Sequence, residues 1–253
     1  MLDLGMGTTT EVPKPHNKKS ISFDGTDDYI SIPAYAISGG SGVSDFSFSF
    51  WIRFPSGGAT PFRRQSVFDI YTDASNHWKF TYSAGNTETF YILIGGVPII
   101  HYVANSAISA GLADTWIHYV LVHDRSSGTT LYRNGAALTA GTNTIADTST
   151  NIHLSTVLRI GVYGTDYAEF MCNEFAIFSQ TLTAADAKVL YNKNVSHVTG
   201  AAGVARNGLR GLYLMGDGTE IGSGTTIYDM AGSVGNATLT NGAPYSSLTR
   251  GDK

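Results

Sequence analysis

The chain has 253 residues, long enough for one sizeable core, and its hydrophobic share of 42% is that of a globular protein. Its charged share is only 14%, its formal net charge is -4, and no basic run exceeds Lys18-Lys19 or Arg63-Arg64, which excludes an electrostatic footprint for nucleic acid or an anionic membrane surface. The 29 Gly and the many Ser and Thr suit an all-β protein with numerous turns, and a surface this poor in charge is expected to be partly covered in an oligomer or larger assembly.

Residues 1–19 carry Thr8-Thr9-Thr10, Pro13, Pro15 and Lys18-Lys19 with no apolar period, and read as an extended arm held by the body of the protein or by a neighbour. The segment from Met1 to Thr10 has neither the cationic nor the apolar region of a secretory signal, and no later stretch is long enough to span a bilayer, so neither export nor membrane insertion is expected. From Ser20 onward the apolar period is two. Over 45–54, Phe46, Phe48, Phe50, Ile52 and Phe54 fall on one face and Ser47, Ser49, Trp51 and Arg53 on the other, the alternation of a half-buried strand. The same rhythm returns at 66–71, 78–82, 89–94, 98–103, 116–123, 129–133, 157–162 and 169–178. Gly95-Gly96, Ser126-Ser127-Gly128 and Asn134-Gly135 supply turns between them.

One short helix is expected over 184–192, where Thr183 can cap the first turn, Asp186 meets the helix dipole, and Ala187, Leu190 and Tyr191 share a face. Residues 199–208 are rich in Gly and Ala and read as a linker, after which 209–215 and 225–230 resume strand character. The expected architecture is therefore all-β, a two-sheet antiparallel β-sandwich with one short helix and extended termini. It divides into an arm over 1–19, a sandwich over 20–198, and a linker with a C-terminal extension over 199–253 that adds edge strands.

Four segments resemble laminin-G-like, concanavalin-A-like jelly rolls, in that family's order. Ser20-Ile-Ser-Phe-Asp-Gly-Thr-Asp-Asp-Tyr-Ile-Ser-Ile-Pro33 is similar to the opening strand, and Phe46-Ser-Phe-Ser-Phe-Trp-Ile52 to the second. Trp116-Ile-His-Tyr-Val-Leu-Val122 with Leu131-Tyr-Arg-Asn-Gly135 is similar to the central hairpin, and the stretch from Asn173 to Tyr191 to the last strand and short helix. The resemblance implies the jelly-roll fold but little about function, since the fold serves lectins, adhesion modules, glycanases and virion proteins alike. The segment from Leu209 to Gly232, followed by Asn236 to Ala243, resembles a piece that precedes the opening strand in many relatives. Here it follows the closing helix, and two outcomes stand open: it completes its own sheet, or it completes a neighbour's.

A retaining glycanase on this scaffold needs two carboxylates on alternating positions of one strand. Glu occurs only at 11, 88, 169, 174 and 220, and Glu169 and Glu174 are oddly spaced, so no enzyme is expected. His118 and His123 are five apart on one strand and point oppositely, while His16, His77, His101, His153 and His197 are scattered, which gives no metal pattern. Cys172, the only cysteine, rules out an internal disulfide and reads as a small core residue. The resemblance implies a structural calcium ion near the opening and closing strands, and Asp24, Asp27, Asp28, Asn173 and Glu174 are the positions that match. Asp24-Gly25 also reads simply as a tight turn whose Asp caps backbone amides. Trp51, Trp78, Tyr82, Tyr91, Tyr102 and Tyr163 are the aromatics available for sugar stacking, Trp51, Trp78 and Tyr163 being the candidate site residues, with core burial as the competing reading for each.

Two functions follow. The first is a non-enzymatic structural or decoration protein of a virion, that of a bacteriophage, located at the virion surface, with termini that clasp capsid proteins or further copies of the chain and an outward sandwich that touches surface glycans. The second is a stand-alone carbohydrate-binding lectin module.

Overall fold

The computed structural model describes residues 19–33, 45–55, 65–82, 87–104, 112–146, 148–152, 156–198, 208–215, 222–223, 225–241 and 246–247. The expected arm, apart from Lys19, and residues 199–207 of the linker lie outside them. The chain opens with β1 (Lys19–Asp24), β2 (Tyr29–Ile32), β3 (Phe46–Arg53), β4 (Gln65–Asp73), β5 (Asn76–Tyr82), β6 (Glu88–Ile94) and β7 (Val97–Ala104). It continues with β8 (Ile117–Asp124), β9 (Gly128–Arg133), β10 (Ala136–Ala137), β11 (Ala140–Ile145), β12 (Leu158–Ile160), β13 (Val162–Tyr163), β14 (Asp166–Tyr167) and β15 (Glu169–Phe178). After α1 (Ala184–Val198) come β16 (Leu209–Tyr213), β17 (Gly222–Ser223), β18 (Thr226–Ile227), β19 (Ala237–Thr240) and β20 (Ser246–Ser247).

Two antiparallel sheets form the sandwich. The eight-stranded sheet runs β10, β9, β8, β3, β15, β1, β20, with β16 also on β15, and the ten-stranded sheet runs β11, β7, β6, β5, β4, β12, β2, β19, β18, β17. β1 holds the first half of β15, from Glu169 to Cys172, and β16 the second, from Phe175 to Phe178. What reads in the sequence as one opening strand is two: β1 and β2 belong to different sheets, and the turn between them carries the chain across the sandwich. Gly25, at φ +79°, makes that turn.

The core is an aromatic layer between the sheets. From β3, Phe46 stacks on Trp78 at 4.9 Å and Phe48 meets Phe68 at 4.8 Å, while Phe50 reaches Phe80 at 5.6 Å. Each such ring, fully buried, contributes roughly 1.5–3 kcal/mol of transfer free energy. The opposite face of β3 is not solvated as its polar alternation predicts: Ser47, Ser49 and Trp51 are buried too. The cause is a second apolar cluster in which Leu182, Ala187 and Leu190 pack on Val120, Val122, Ala176 and Phe178. The small serines fit beneath this cover by hydrogen bonding, Ser47 Oγ donating to the Gln180 carbonyl at 2.8 Å and accepting from the Leu182 amide at 3.1 Å. The helix starts as expected, with Thr183 Oγ1 accepting from the Asp186 amide and the Asp186 carboxylate accepting from the Thr183 amide. Cys172 is fully buried, and burial pushes its thiol pKa up.

The C-terminal strands join the chain's own sheets, β16 on β15, β19 on β2 and β20 on β1. The strand expected over 225–230 shortens to β18 because Asp229 turns the chain. Its Oδ1 accepts from the amides of Leu212 and Ala231, both at 3.0 Å, and its Oδ2 from those of Val234 at 2.8 Å and Gly235 at 3.1 Å.

A polar clasp also crosses the core. Glu88 of β6 is wholly buried, and its Oε1 accepts from Tyr119 Oη of β8 at 2.8 Å and from Arg133 Nη1 of β9 at 2.9 Å. Burial raises the Glu88 pKa, with the Arg133 guanidinium pulling the other way. Removing one member of a buried charged pair strands the other, so Glu88→Ala is expected to cost about 2–4 kcal/mol, read as a lower denaturation midpoint at unchanged m-value.

Candidate functional site

The acidic turn between β1 and β2 brings Asp24, Asp27 and Asp28 together, with one oxygen of each within 4.8 Å of the others. Asp24 and Asp28 are engaged in shaping the turn. Asp24 Oδ1 accepts from the Thr26 amide at 2.7 Å, and Asp28 Oδ2 from the Asp24 amide at 3.0 Å. Burial, and then the charges of Asp24 and Asp27, raise the Asp28 pKa against the pull of that amide.

Asn173 and Glu174 do not join the trio. Asp24 stands opposite Glu169 and Ile21 opposite Cys172, which places Asn173 about 13 Å further along β15 at roughly 3.3 Å per residue. Both residues are fully buried, at a bulge where Glu174 takes φ +49° and the Asn173 side-chain oxygen accepts the Glu174 amide at 2.8 Å. Calcium takes six to eight oxygens. Among the described residues the trio supplies three carboxylates that could hold a metal ion, with no further His, Cys, Asp or Glu in the group, so the remaining oxygens of a calcium shell would have to come from carbonyls and water.

The tryptophans proposed for sugar stacking are core residues. Trp78 is 2% exposed, packs on Phe46, and donates from Nε1 to the Ile152 carbonyl at 2.8 Å. Trp51 does lie outside the phenylalanine layer, but α1 covers it: its ring meets His118 at 4.8 Å and Tyr191 at 5.7 Å, and its exposure is nil. Tyr163 differs, being half-buried on the outer face of the ten-stranded sheet. His118 and His123 point oppositely as expected, His118 lying under Trp51 and Tyr191 and His123 against Phe46 of the core, and burial drives the pKa of each down to about 3.

Around Tyr163 the sheet assembles a group that no local segment of sequence displays. Strand register sets Arg159, Asp69, Lys79, Tyr91, His101 and Thr144 side by side across six adjacent strands, β12, β4, β5, β6, β7 and β11. A second row pairs Tyr71 with His77. Tyr163 closes over both, its ring 5.4 Å from Tyr71 and 5.6 Å from His77. Lys79 Nζ lies 4.9 Å from the Tyr163 ring centre and 5.5 Å from that of Tyr91, and Tyr91 meets His101 edge-on at 5.3 Å. The signal available in the sequence was the alternation of Asn76 to Tyr82: with Trp78, Phe80 and Tyr82 in the core, His77, Lys79 and Thr81 face outward.

The chain matches the family described as the concanavalin A-like lectin/glucanases superfamily over residues 24–188, well over half its length. It belongs to that superfamily. Among solved structures, this concanavalin A-like domain is similar to a Bacteroides ovatus protein to which carbohydrate binding is provisionally ascribed, with 18% identity and a TM-score of 0.59, over 92% of this chain and 61% of that one. It is also similar to the binding domain of botulinum neurotoxin DC in complex with SialylT, with 17% identity, a TM-score of 0.52, and coverage of 68% and 42%. A third, the same binding domain in complex with rat synaptotagmin II, gives 18% identity and a TM-score of 0.51, over 68% and 42%. The chain thus spans about three fifths of the first and about two fifths of the others, and at these identities the likeness is one of fold. No curated protein matches.

In this concanavalin A-like domain the one acid of the outer row is neutralised within it. Asp69 is wholly buried and grips Arg159 with two hydrogen bonds, Nε to Oδ1 at 3.1 Å and Nη2 to Oδ2 at 2.7 Å. Burial pushes the Asp69 pKa up to about 6 while Arg159 pulls it down. The folded state therefore binds this proton more tightly than the unfolded chain, and the contribution of Asp69 to stability is lost as pH rises from about 4 to about 6. The stability gap between the parent and Asp69→Asn should shrink across that window, as measured by denaturant unfolding at stepped pH. At the acidic turn, Asp24→Ala removes the acceptor of the Thr26 amide and should cost about 1 kcal/mol in chelator-containing buffer, read from the same unfolding curves.

Proposed function

We propose that this chain is a non-catalytic carbohydrate-binding domain whose ligand lies on the outer face of the ten-stranded sheet. The observation that carries the reading is the cluster of half-buried Tyr71, Tyr91 and Tyr163 around Lys79 and His77 on that face. Tyrosine rings offer the flat apolar surface on which a pyranose stacks, and neighbouring polar groups orient its hydroxyls. The other outer face is unsuited, since α1 lies over Trp51 and its surroundings. The carbohydrate binding ascribed to the Bacteroides ovatus relative and the SialylT complex of the neurotoxin domain favour the same class of ligand. None of these relatives lends support to a virion role, to capsid partners or to a place on a virion surface, so the lectin reading takes precedence over the decoration protein expected first.

The test is a glycan array followed by titration of the bound glycans. The parent protein should retain a defined set, and Tyr91→Ala and Tyr163→Ala should each weaken it at least tenfold, or about 1.4 kcal/mol. Retention of no glycan by the parent, or affinity equal to the parent's in both variants, would overturn the reading.

A further inference from the structure

His77 stands apart from the other buried histidines. His118 shares a hydrogen bond with Ser49 Oγ at 2.9 Å and His123 with Thr129 Oγ1 at 3.0 Å, so each has a hydroxyl on one ring nitrogen. His77 is 4% exposed; the Asp73 backbone approaches the ring and pulls its pKa up against burial, but among the described residues neither Nδ1 nor Nε2 makes a hydrogen bond of ordinary geometry. Leaving a buried polar group in that state costs on the order of 1–3 kcal/mol. The imidazole is not core filler, because alternation along β5 turns it to the outer face. Its walls are the rings that would hold a sugar: Tyr71 at 6.1 Å, Tyr91 at 6.0 Å and Tyr163 at 5.6 Å.

On the reading of this face as a glycan site, we propose that His77 is a specificity-determining residue, hydrogen-bonded by one hydroxyl of a pyranose that reaches between Tyr91 and Tyr163. A hydroxyl both donates and accepts, so it satisfies a neutral imidazole in either tautomer. Burial and the nearby Lys79 charge hold the His77 pKa below its ordinary value, which keeps that neutral form. A site with such a buried group discriminates strongly against a ligand lacking the matching hydroxyl, because the ring nitrogen is then left unsatisfied in the complex. The ligand class is thus a neutral pyranose recognised through one particular hydroxyl, with the tyrosines supplying sequence-tolerant stacking.

The probes are methyl pyranosides of the gluco, galacto and manno series and their monodeoxy derivatives, titrated by NMR against the full chain and against His77→Phe, His77→Gln and Tyr91→Ala. His77→Phe keeps a ring in place and removes both nitrogens, so it should melt at or above the parent temperature while binding the preferred pyranoside at least tenfold more weakly. It should also lose the parent's rejection of one monodeoxy derivative. His77→Gln, which keeps a donor and an acceptor, should recover part of both. If the parent binds and Tyr91→Ala does not, but His77→Phe keeps full affinity and the same deoxy preference, His77 has no such role and the glycan face stands. A parent protein that binds no pyranoside and no arrayed glycan removes the face and His77 with it. Should His77→Phe unfold, His77→Gln decides: native melting with an altered deoxy preference supports the assignment, and native melting with an unaltered one overturns it.

Discussion

The packing of Phe46, Phe48 and Phe50 from one sheet against Trp78, Phe68 and Phe80 from the other fixes the distance and alignment of the two layers. Everything on the outer surfaces follows from it, because a strand that commits alternate side chains to this layer has no choice about where the rest point. On β5, burying Trp78, Phe80 and Tyr82 leaves His77 and Lys79 to face the other way. A slip of one residue in β5 would place a lysine in the core, which is why the register, and with it the composition of the outer row, is strongly specified.

The two outer faces have been put to different use. On the eight-stranded sheet, Leu182, Ala187 and Leu190 complete a second apolar layer, and small serines and a partnered histidine lie beneath it. On the ten-stranded sheet the outward residues are tyrosines, a lysine and histidines, held by ring contacts and one internally neutralised ion pair.

Much of the fold was legible because period-two alternation is a local property. The stretch 169–178 reads as a strand and is β15, and Thr183 with Asp186 announces the helix and caps it. What could not be read was long-range. Trp51 stands opposite the phenylalanines on β3, and only the return of α1 buries it. Asn173 and Glu174 share a segment with the family's closing strand, yet strand register sets them far from Asp24 and into a bulge. The polar Ala140–Ile145 edge shows no apolar stripe and becomes a strand by pairing with β7. The outer row is the extreme case, since Asp69, Lys79, Tyr91, His101, Thr144 and Arg159 become neighbours only through the sheet order.

The division of β15 between β1 and β16 has a kinetic corollary. β1 is made well before its partner, Glu169 to Cys172, which follows over a hundred residues later. Until then its backbone donors and acceptors have no ladder to enter, and during synthesis β1 must wait as an open edge while the hairpins formed by β4 to β7 and by β8 and β9 can already zip from their turns. Closure of the sandwich is thus a late event with a long loop to shut. The polar Ser20 and Ser22 that punctuate this strand lower its tendency to join a stranger's edge in the interval.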